Sequence, residues 1–344
     1  MRAVITTGKC EMELADVPSP GDPGPGEVIV LPQAVGICGS DFHFWMGELG
    51  PEDGSQFPRI QGHEVAGVVE SVGPDCEKGL DAGDRVALHP LSHCGQCYPC
   101  RIGRHNVCDN FSLIGIHEDG GLQEMLLMPE ALVFPTDEER PAVAALAEPL
   151  SIAVRAVSRS RLQQGEHVVV FGAGPIGQAI CLLAGERQAP VLMIDPVQSR
   201  LELGATMGAE TLPWTDFDEV IALAREWSGG EGSEVVFDAT GSPDAIRAGF
   251  ETAASAGRLV MVGMSHHDVP MRVFGFVDKE LDVLGVSCAQ PGEFEEAVAF
   301  VERHSDRVER LITQEFPLEQ APEALEWAMD NPAEAMKVVI TEIN

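Results

Sequence analysis

The sequence predicts an α/β protein built in two parts, a doubly wound parallel sheet and an irregular antiparallel β-barrel. Three observations predict it. The chain has 344 residues, too long for one growing core. Its pattern changes at about residue 149, from short punctuated β-branched runs to helix-length segments alternating with short apolar runs. A glycine-rich turn, GAGPIG, sits between one such apolar run and a helix-like stretch.

The first part is read as residues 1–148. Its N-terminus, MRAVITTGKCEMELADVPSP, has the pattern of an amphipathic strand and no apolar core of a signal peptide. Val28–Val35 and Val65–Val72 are further strand candidates, separated by glycine, proline and turn residues. The second part is read as 149–288. Its strand candidates are His167–Phe171, Val191–Ile194, Val235–Asp238, Leu259–Val262 and Val283–Val286. Helices are expected over Ile176–Glu186, Ser199–Met207, Phe217–Arg225 and Ala245–Ala254. The tail, 289–344, holds one strong helix, Phe294–Arg303, and a final strand candidate, Met336–Thr341, expected to return to the first part.

Composition excludes some functions. Asp and Glu number 55 against 22 Lys and Arg, a formal net charge of -33. So negative a surface repels phosphate backbones and argues against nucleic-acid binding. Adaptation to high salt explains the charge better than a cationic substrate does. No run of 18 apolar residues occurs, so no membrane span is expected. Nine cysteines, seven of them between Cys10 and Cys108, suggest metal ligands in a cytoplasmic protein before disulfides.

In GAGPIG, Gly172, Gly174 and Gly177 allow a tight turn, a close approach to pyrophosphate and close helix–strand packing. Pro175 and Ile176 open the helix whose free N–H groups would face the phosphates. The next apolar run ends in Asp195, 23 residues beyond Gly172. A carboxylate there accepts bonds from a ribose 2′-hydroxyl and repels a 2′-phosphate, which favours NAD over NADP. Arg200 follows closely and can soften that preference.

Cys94, Cys97, Cys100 and Cys108 have the spacing C-x2-C-x2-C-x7-C. Four clustered thiolates wrap one soft metal and leave no open position, which staples a loop rather than turning over substrate. Zinc is favoured over iron, because bacterial iron–sulfur runs have a shorter last gap and a following proline, where this chain has Asp109. A second ligand set is spread along the chain: Cys38 in GICGSDFH, His63 and Glu64 in QGHE, and Glu148 in AEPL. One cysteine, one histidine and one carboxylate leave zinc an exchangeable position. Taken singly, Cys38 also reads as a buried thiol, His63 as a core histidine and Glu148 as a neighbour of a helix cap.

With the strings GICGSDFH, GHEVAGVVESVG, GDRV, CGQCYPCRIGRHNVC and GAGPIG, the chain resembles the zinc-containing medium-chain dehydrogenase/reductase family, in its polyol and threonine dehydrogenase-like branch. It departs from the family pattern at Cys76, where a small β-branched residue is usual. The resemblance implies a GroES-like catalytic domain, a Rossmann coenzyme domain, a catalytic and a structural Zn2+, and NAD. Cys38 and His63 match the catalytic ligands, and Glu148 takes the place that is a cysteine in other alcohol dehydrogenases. Glu64 matches a glutamate beside the metal. Ser40 and His43 match the proton-release path, and Asp41 is expected to orient His63. The implied reaction passes hydride from a secondary alcohol of a polyol, sugar or sugar acid to NAD+, with L-threonine or another amino alcohol as the alternative substrate. The FPRIQGHE and FHFWMGELG segments look most like hexitol and hexonate members. A homodimer or homotetramer is implied, with Glu280–Ser287 as the edge strand through which sheets pair.

Overall fold

A computed structural model describes residues 1–49, 56–265 and 267–344; Gly50, which ends the FHFWMGELG segment, lies outside them. The chain forms two compact units. One comprises Met1–Ser151 with Gln290–Asn344, and the other Ile152–Ala289.

The first unit is organised by the strand Glu27–Gly36. It pairs antiparallel with Glu64–Val72 on one side and, over its final residues, with Lys337–Thr341 on the other. Arg85–Leu88 and Val133–Pro135 extend the sheet beyond Glu64–Val72. Ile312–Pro317 extends it beyond Lys337–Thr341, in a parallel pairing. Leu126–Pro129 also pairs with Glu27–Gly36, over its first half. The sheet is therefore mixed, although all but one of these pairings are antiparallel. Pro32 cannot donate to the ladder, and the register shifts between Pro32 and Ala34. Val28, Val30, Val35, Val65, Val69 and Met128 form part of the core on this sheet, each at most 2% exposed.

The second unit is a six-stranded parallel sheet. Its spatial order is Glu210–Pro213, Val191–Asp195, Val168–Phe171, Ser233–Asp238, Ala253–Met261 and Asp282–Gly285. Both faces of such a sheet are covered, so Val168–Phe171 is a continuous apolar run with every residue at 0% exposure. Some elements depart from expectation, among them the helix Val273–Lys279, which no sequence pattern marked. Glu210–Pro213 (ETLP) is short and polar, and it is a strand because it lies at the sheet edge. The helix Pro243–Thr252 stops two residues before its expected end, and Ala253 already begins a nine-residue strand. Within that strand Ala253 and Arg258–Met261 pair with Ser233–Asp238, and the register shifts between them, where the sequence is poor in β-branched residues.

Outside the sheets, the tail holds Pro291–Val308 and a further helix, Ala321–Asp330, that the sequence pattern did not announce. The segment Pro141–Ser160 is long and apolar enough to cross a membrane, with a mean hydropathy of 1.3. However, 83% of its most apolar window is buried inside the fold, as in a core helix.

Candidate active site and metal centres

The site in the first unit begins where Glu27–Gly36 ends. Cys38 precedes the short helix Gly39–Trp45, and the Asp41 carboxylate accepts the Cys38 N–H at 2.8 Å, holding the chain in this turn. His63 immediately precedes the neighbouring strand, whose first residue, Glu64, lies opposite Gly36 in the register. A Cβ on Gly36 would fall 2.0 Å from Glu64 Oε2, so only glycine lets that carboxylate lie back over the strand. The pairing thus brings one donor atom each from Cys38, His63 and Glu64 within 4.8 Å of one another. Glu148, in the first turn of the helix Ala147–Ser160, is buried and falls outside this close set.

His63 has a neighbour at each ring nitrogen, within hydrogen-bond reach only at Nε2. Nε2 lies 3.4 Å from Ser40 Oγ, and Nδ1 lies 3.7 Å from Asp41 Oδ1. Behind Asp41 runs a buried chain of hydrogen bonds. Thr6 Oγ1 donates to Gln61 Oε1 at 2.6 Å, and Gln61 Nε2 donates to the Asp41 carbonyl oxygen at 3.0 Å. His43 extends toward solvent, with Nδ1 2.6 Å from Glu48 Oε2. Neither Gln61 nor Thr6 carries a sequence signal for this role.

The sequence reading also missed Lys337. Its Nζ donates to both Glu64 oxygens, at 2.5 and 2.7 Å, and to the Ile37 carbonyl oxygen at 3.1 Å. A signal was present: the chain has only four lysines, and one stands at the head of an otherwise apolar final strand.

The electrostatics fit a cation. Burial alone would lower the His63 pKa, but Asp41, Cys38 and Glu148 together raise it well above the usual imidazole range. Burial pushes Glu148 up to about 7, helped by Glu64 and Asp41 and opposed by His63 and Lys337. Asp41 is likewise raised, chiefly by burial. Carboxylates crowded around a thiol and an imidazole are an environment that a divalent ion relieves.

The four-cysteine loop is a second candidate centre. Donor atoms of Cys94, Cys97, Cys100 and Cys108 all lie within 4.8 Å of one another. Sulfur separations of 3.6 Å (Cys97 to Cys108) and 3.4 Å (Cys108 to Cys94) approach the edge of about 3.8 Å that zinc–sulfur bonds of about 2.3 Å give a tetrahedron. Backbone N–H groups of Gln96 and Cys97 pull the Cys94 thiol down to about 6. Burial and the neighbouring thiols push Cys100 up to about 12. Four such groups ionise together only around a cation.

In the second unit the GAGPIG turn opens the helix Pro175–Glu186, with Pro175 and Ile176 as its first residues. Gly172 has φ +99°, and a Cβ on Gly177 would fall 1.9 Å from the Gly172 oxygen. A Cβ on Gly174 would meet nothing within 4 Å, so the backbone is open to a ligand there. Asp195 is buried, and its carboxylate accepts N–H groups from Ala173 and Val197, both at 2.8 Å. Gln178 Nε2 ties the Ala173 carbonyl oxygen (3.1 Å) to that of Arg200 (2.9 Å), a brace with no sequence signal. A cavity of about 540 Å³ opens between this turn, Asp195, Arg200 and Thr240. These features fit the adenosine half and pyrophosphate of a dinucleotide.

Comparison with known proteins agrees with this geometry. Residues 24–138 match the alcohol dehydrogenase GroES-like domain family, and residues 175–303 match the zinc-binding dehydrogenase family. The L-galactonate-5-dehydrogenase of Escherichia coli K12 is 33% identical over 326 residues, 95% of this chain and 94% of its own. A protein of Sinorhizobium meliloti 1021 described as a zinc-binding dehydrogenase, solved bound to NADP, superposes with a TM-score of 0.89. It is 28% identical, with 99% of this chain and 98% of its own covered. The alcohol dehydrogenase rspB of E. coli CFT073, solved with NADH, has the same TM-score and identity and covers 99% of both chains. This chain therefore belongs to the zinc-binding, medium-chain alcohol dehydrogenase family, and its two units are the GroES-like and Rossmann-like domains of that family. It is an oxidoreductase of the zinc type that works with a nicotinamide dinucleotide on a small-molecule substrate.

Proposed function

We infer that the protein oxidises a secondary alcohol of a polyol, sugar or sugar acid to the ketone, using NAD+. The observation that carries this reading is the convergence of Cys38, His63 and Glu64 donor atoms, with Ser40 against the His63 ring. The L-galactonate specificity in the name of the E. coli relative supports a hydroxyl-rich substrate.

In this reading Cys38 and His63 hold the catalytic zinc, Glu148 supplies its third anchor directly or through water, and Glu64 stands beside the metal within reach of it. Cys94, Cys97, Cys100 and Cys108 hold the structural one. When bound, the catalytic ion polarises the substrate oxygen as a Lewis acid. Ser40 takes the substrate proton and passes it on toward His43, whose contact with Glu48 fixes the ring near solvent. Asp41 holds His63 in place, and Lys337 neutralises Glu64. The GAGPIG turn, Asp195 and Arg200 receive the cofactor, and Asp195 favours NAD over NADP.

The protein assembles as a homodimer or homotetramer in the cytoplasm. Asp282–Gly285 is an edge strand, and the helix Val273–Lys279 leaves Val273, Phe274 and Val277 exposed at 74%, 66% and 68%.

The test is NAD+ reduction by zinc-loaded protein across hexitols, hexonates, L-threonine and simple alcohols. Highest kcat/KM is expected for a hexitol or hexonate. L-threonine as the best substrate would replace this reading with an amino-alcohol dehydrogenase. No reduction with any of them would reject it.

A further inference from the structure

We propose that Trp214 forms the aromatic wall on which the adenine ring of the dinucleotide stacks. This rests on the reading that the cavity beyond the GAGPIG turn takes the adenosine half of the cofactor.

The placement follows from the sheet. Glu210–Pro213 runs parallel to Val191–Asp195 with Pro213 in register with Asp195, and the next N–H, that of Trp214, donates to the Asp195 carbonyl oxygen at 3.0 Å. Neighbouring strands lie about 4.8 Å apart. A ribose held at the Asp195 carboxylate therefore carries its base across by about one strand spacing, onto the next strand end. Trp214 is the residue there, and it lines the cavity with Pro196 and Val197.

The Trp214 ring is held before any ligand arrives. It packs edge-to-face against Phe171 (centroids 6.0 Å apart, planes at 70°) and against Phe217 (6.5 Å, 63°). Phe171 also lines the cavity but is fully buried, whereas Trp214 is half-buried and presents its aromatic surface to the space. A ring already fixed by two neighbours loses little rotamer freedom on stacking, so more of the stacking energy appears as affinity. An indole at this point lets the base be bound by its π-face, with the hydroxyls left to Asp195 and the phosphates to the glycine turn.

The experiment uses the zinc-loaded protein and ADP-ribose, which carries the adenosine half without nicotinamide. Binding of ADP-ribose and NAD+ is measured by calorimetry for the unmodified protein, Trp214→Ala and Trp214→Phe. Trp214→Ala is expected to weaken both ligands by roughly tenfold and equally, and Trp214→Phe to recover most of that loss. Fluorescence gives an independent readout. The chain has four tryptophans, and ADP-ribose is expected to quench emission in Trp45→Phe, Trp227→Phe and Trp327→Phe but not in Trp214→Phe. Unchanged ADP-ribose affinity in a folded Trp214→Ala protein, or quenching that survives in Trp214→Phe, overturns the proposal. Failure of the unmodified protein to bind ADP-ribose or NAD+ would instead overturn the assignment of the cavity itself.

Discussion

Lys337 and Glu64 stand 273 positions apart in the chain and form a buried ion pair, with Nζ 2.5 and 2.7 Å from the two carboxylate oxygens. The Lys337 side chain is 4% exposed and that of Glu64 is 0%. Burial alone would lower the lysine pKa, but Glu64, followed by Cys38, raises it above its ordinary value. Removing one partner leaves the other charge buried and unpaired. Lys337→Met is expected to cost about 3–5 kcal/mol. The double variant Lys337→Met/Glu64→Gln should recover part of that loss, as read from thermal midpoints. A single variant as stable as the unmodified protein would show that the pair carries no net stability.

The metal complement should be two zinc ions per subunit by elemental analysis. Glu148→Ala should reduce retention of one ion and cut turnover while leaving NAD+ affinity unchanged. Cys100→Ser should lose the other ion and lower the thermal midpoint, since metal binding by the folded loop adds to its folding free energy. Iron in place of zinc, or full zinc content in Glu148→Ala, would count against these assignments.

Asp195 does two jobs, and its substitution should separate them. The unmodified protein should prefer NAD+ strongly over NADP+ by kcat/KM. Asp195→Ala should narrow that gap by weakening NAD+ binding. It should also lower thermal stability by about 1–3 kcal/mol, because the N–H groups of Ala173 and Val197 lose their acceptor. Equal efficiency with both cofactors before mutation would refute the first expectation.

Glu166 gives a pH-dependent increment to stability. Burial would raise its pKa, but the bonds from Arg258 and the Gln163 backbone outweigh it and hold the carboxyl below the usual range. Arg258 Nη1 donates to Glu166 at 3.0 Å and Nε donates to the Ser160 carbonyl oxygen at 2.9 Å. A lowered folded-state pKa means the contribution is complete above the unfolded value, about 4.3, and is lost as pH falls through the folded one. Glu166→Gln should therefore lower the thermal midpoint near neutrality, and the difference should be lost at a pH below the folded-state pKa. A difference that persists at that pH would exclude the linkage.

Association should depend on both salt and the apolar helix Val273–Lys279. Light scattering is expected to give dimers or tetramers whose stability rises with ionic strength, since a charge of -33 repels its copies. Phe274→Asp should shift the protein toward monomer. A monomer in every salt condition would reject the assembly.

Repetition and spacing alone determined the class of fold and the kinds of chemistry present. Alternating apolar runs and helices between His167 and Val286 specify a parallel sheet, because short apolar runs separated by helix-length segments are the pattern of βαβ units. GAGPIG and the cysteine spacing are equally local. Their residues lie within six and fifteen positions of the chain, so their roles are written in one short segment each. Tertiary structure decided whatever depends on distant segments meeting. The strand Lys337–Thr341 runs beside the end of Glu27–Gly36, which puts Lys337 under Glu64. Gln61 reaches Asp41 only once His63 and the helix Gly39–Trp45 have been brought together. Glu210–Pro213 is a strand only because Val191–Asp195 offers it an edge, and that edge carries Trp214 to the cavity. A local pattern records what a residue can be, whereas burial and partners, which come from segments hundreds of positions away, select what it does.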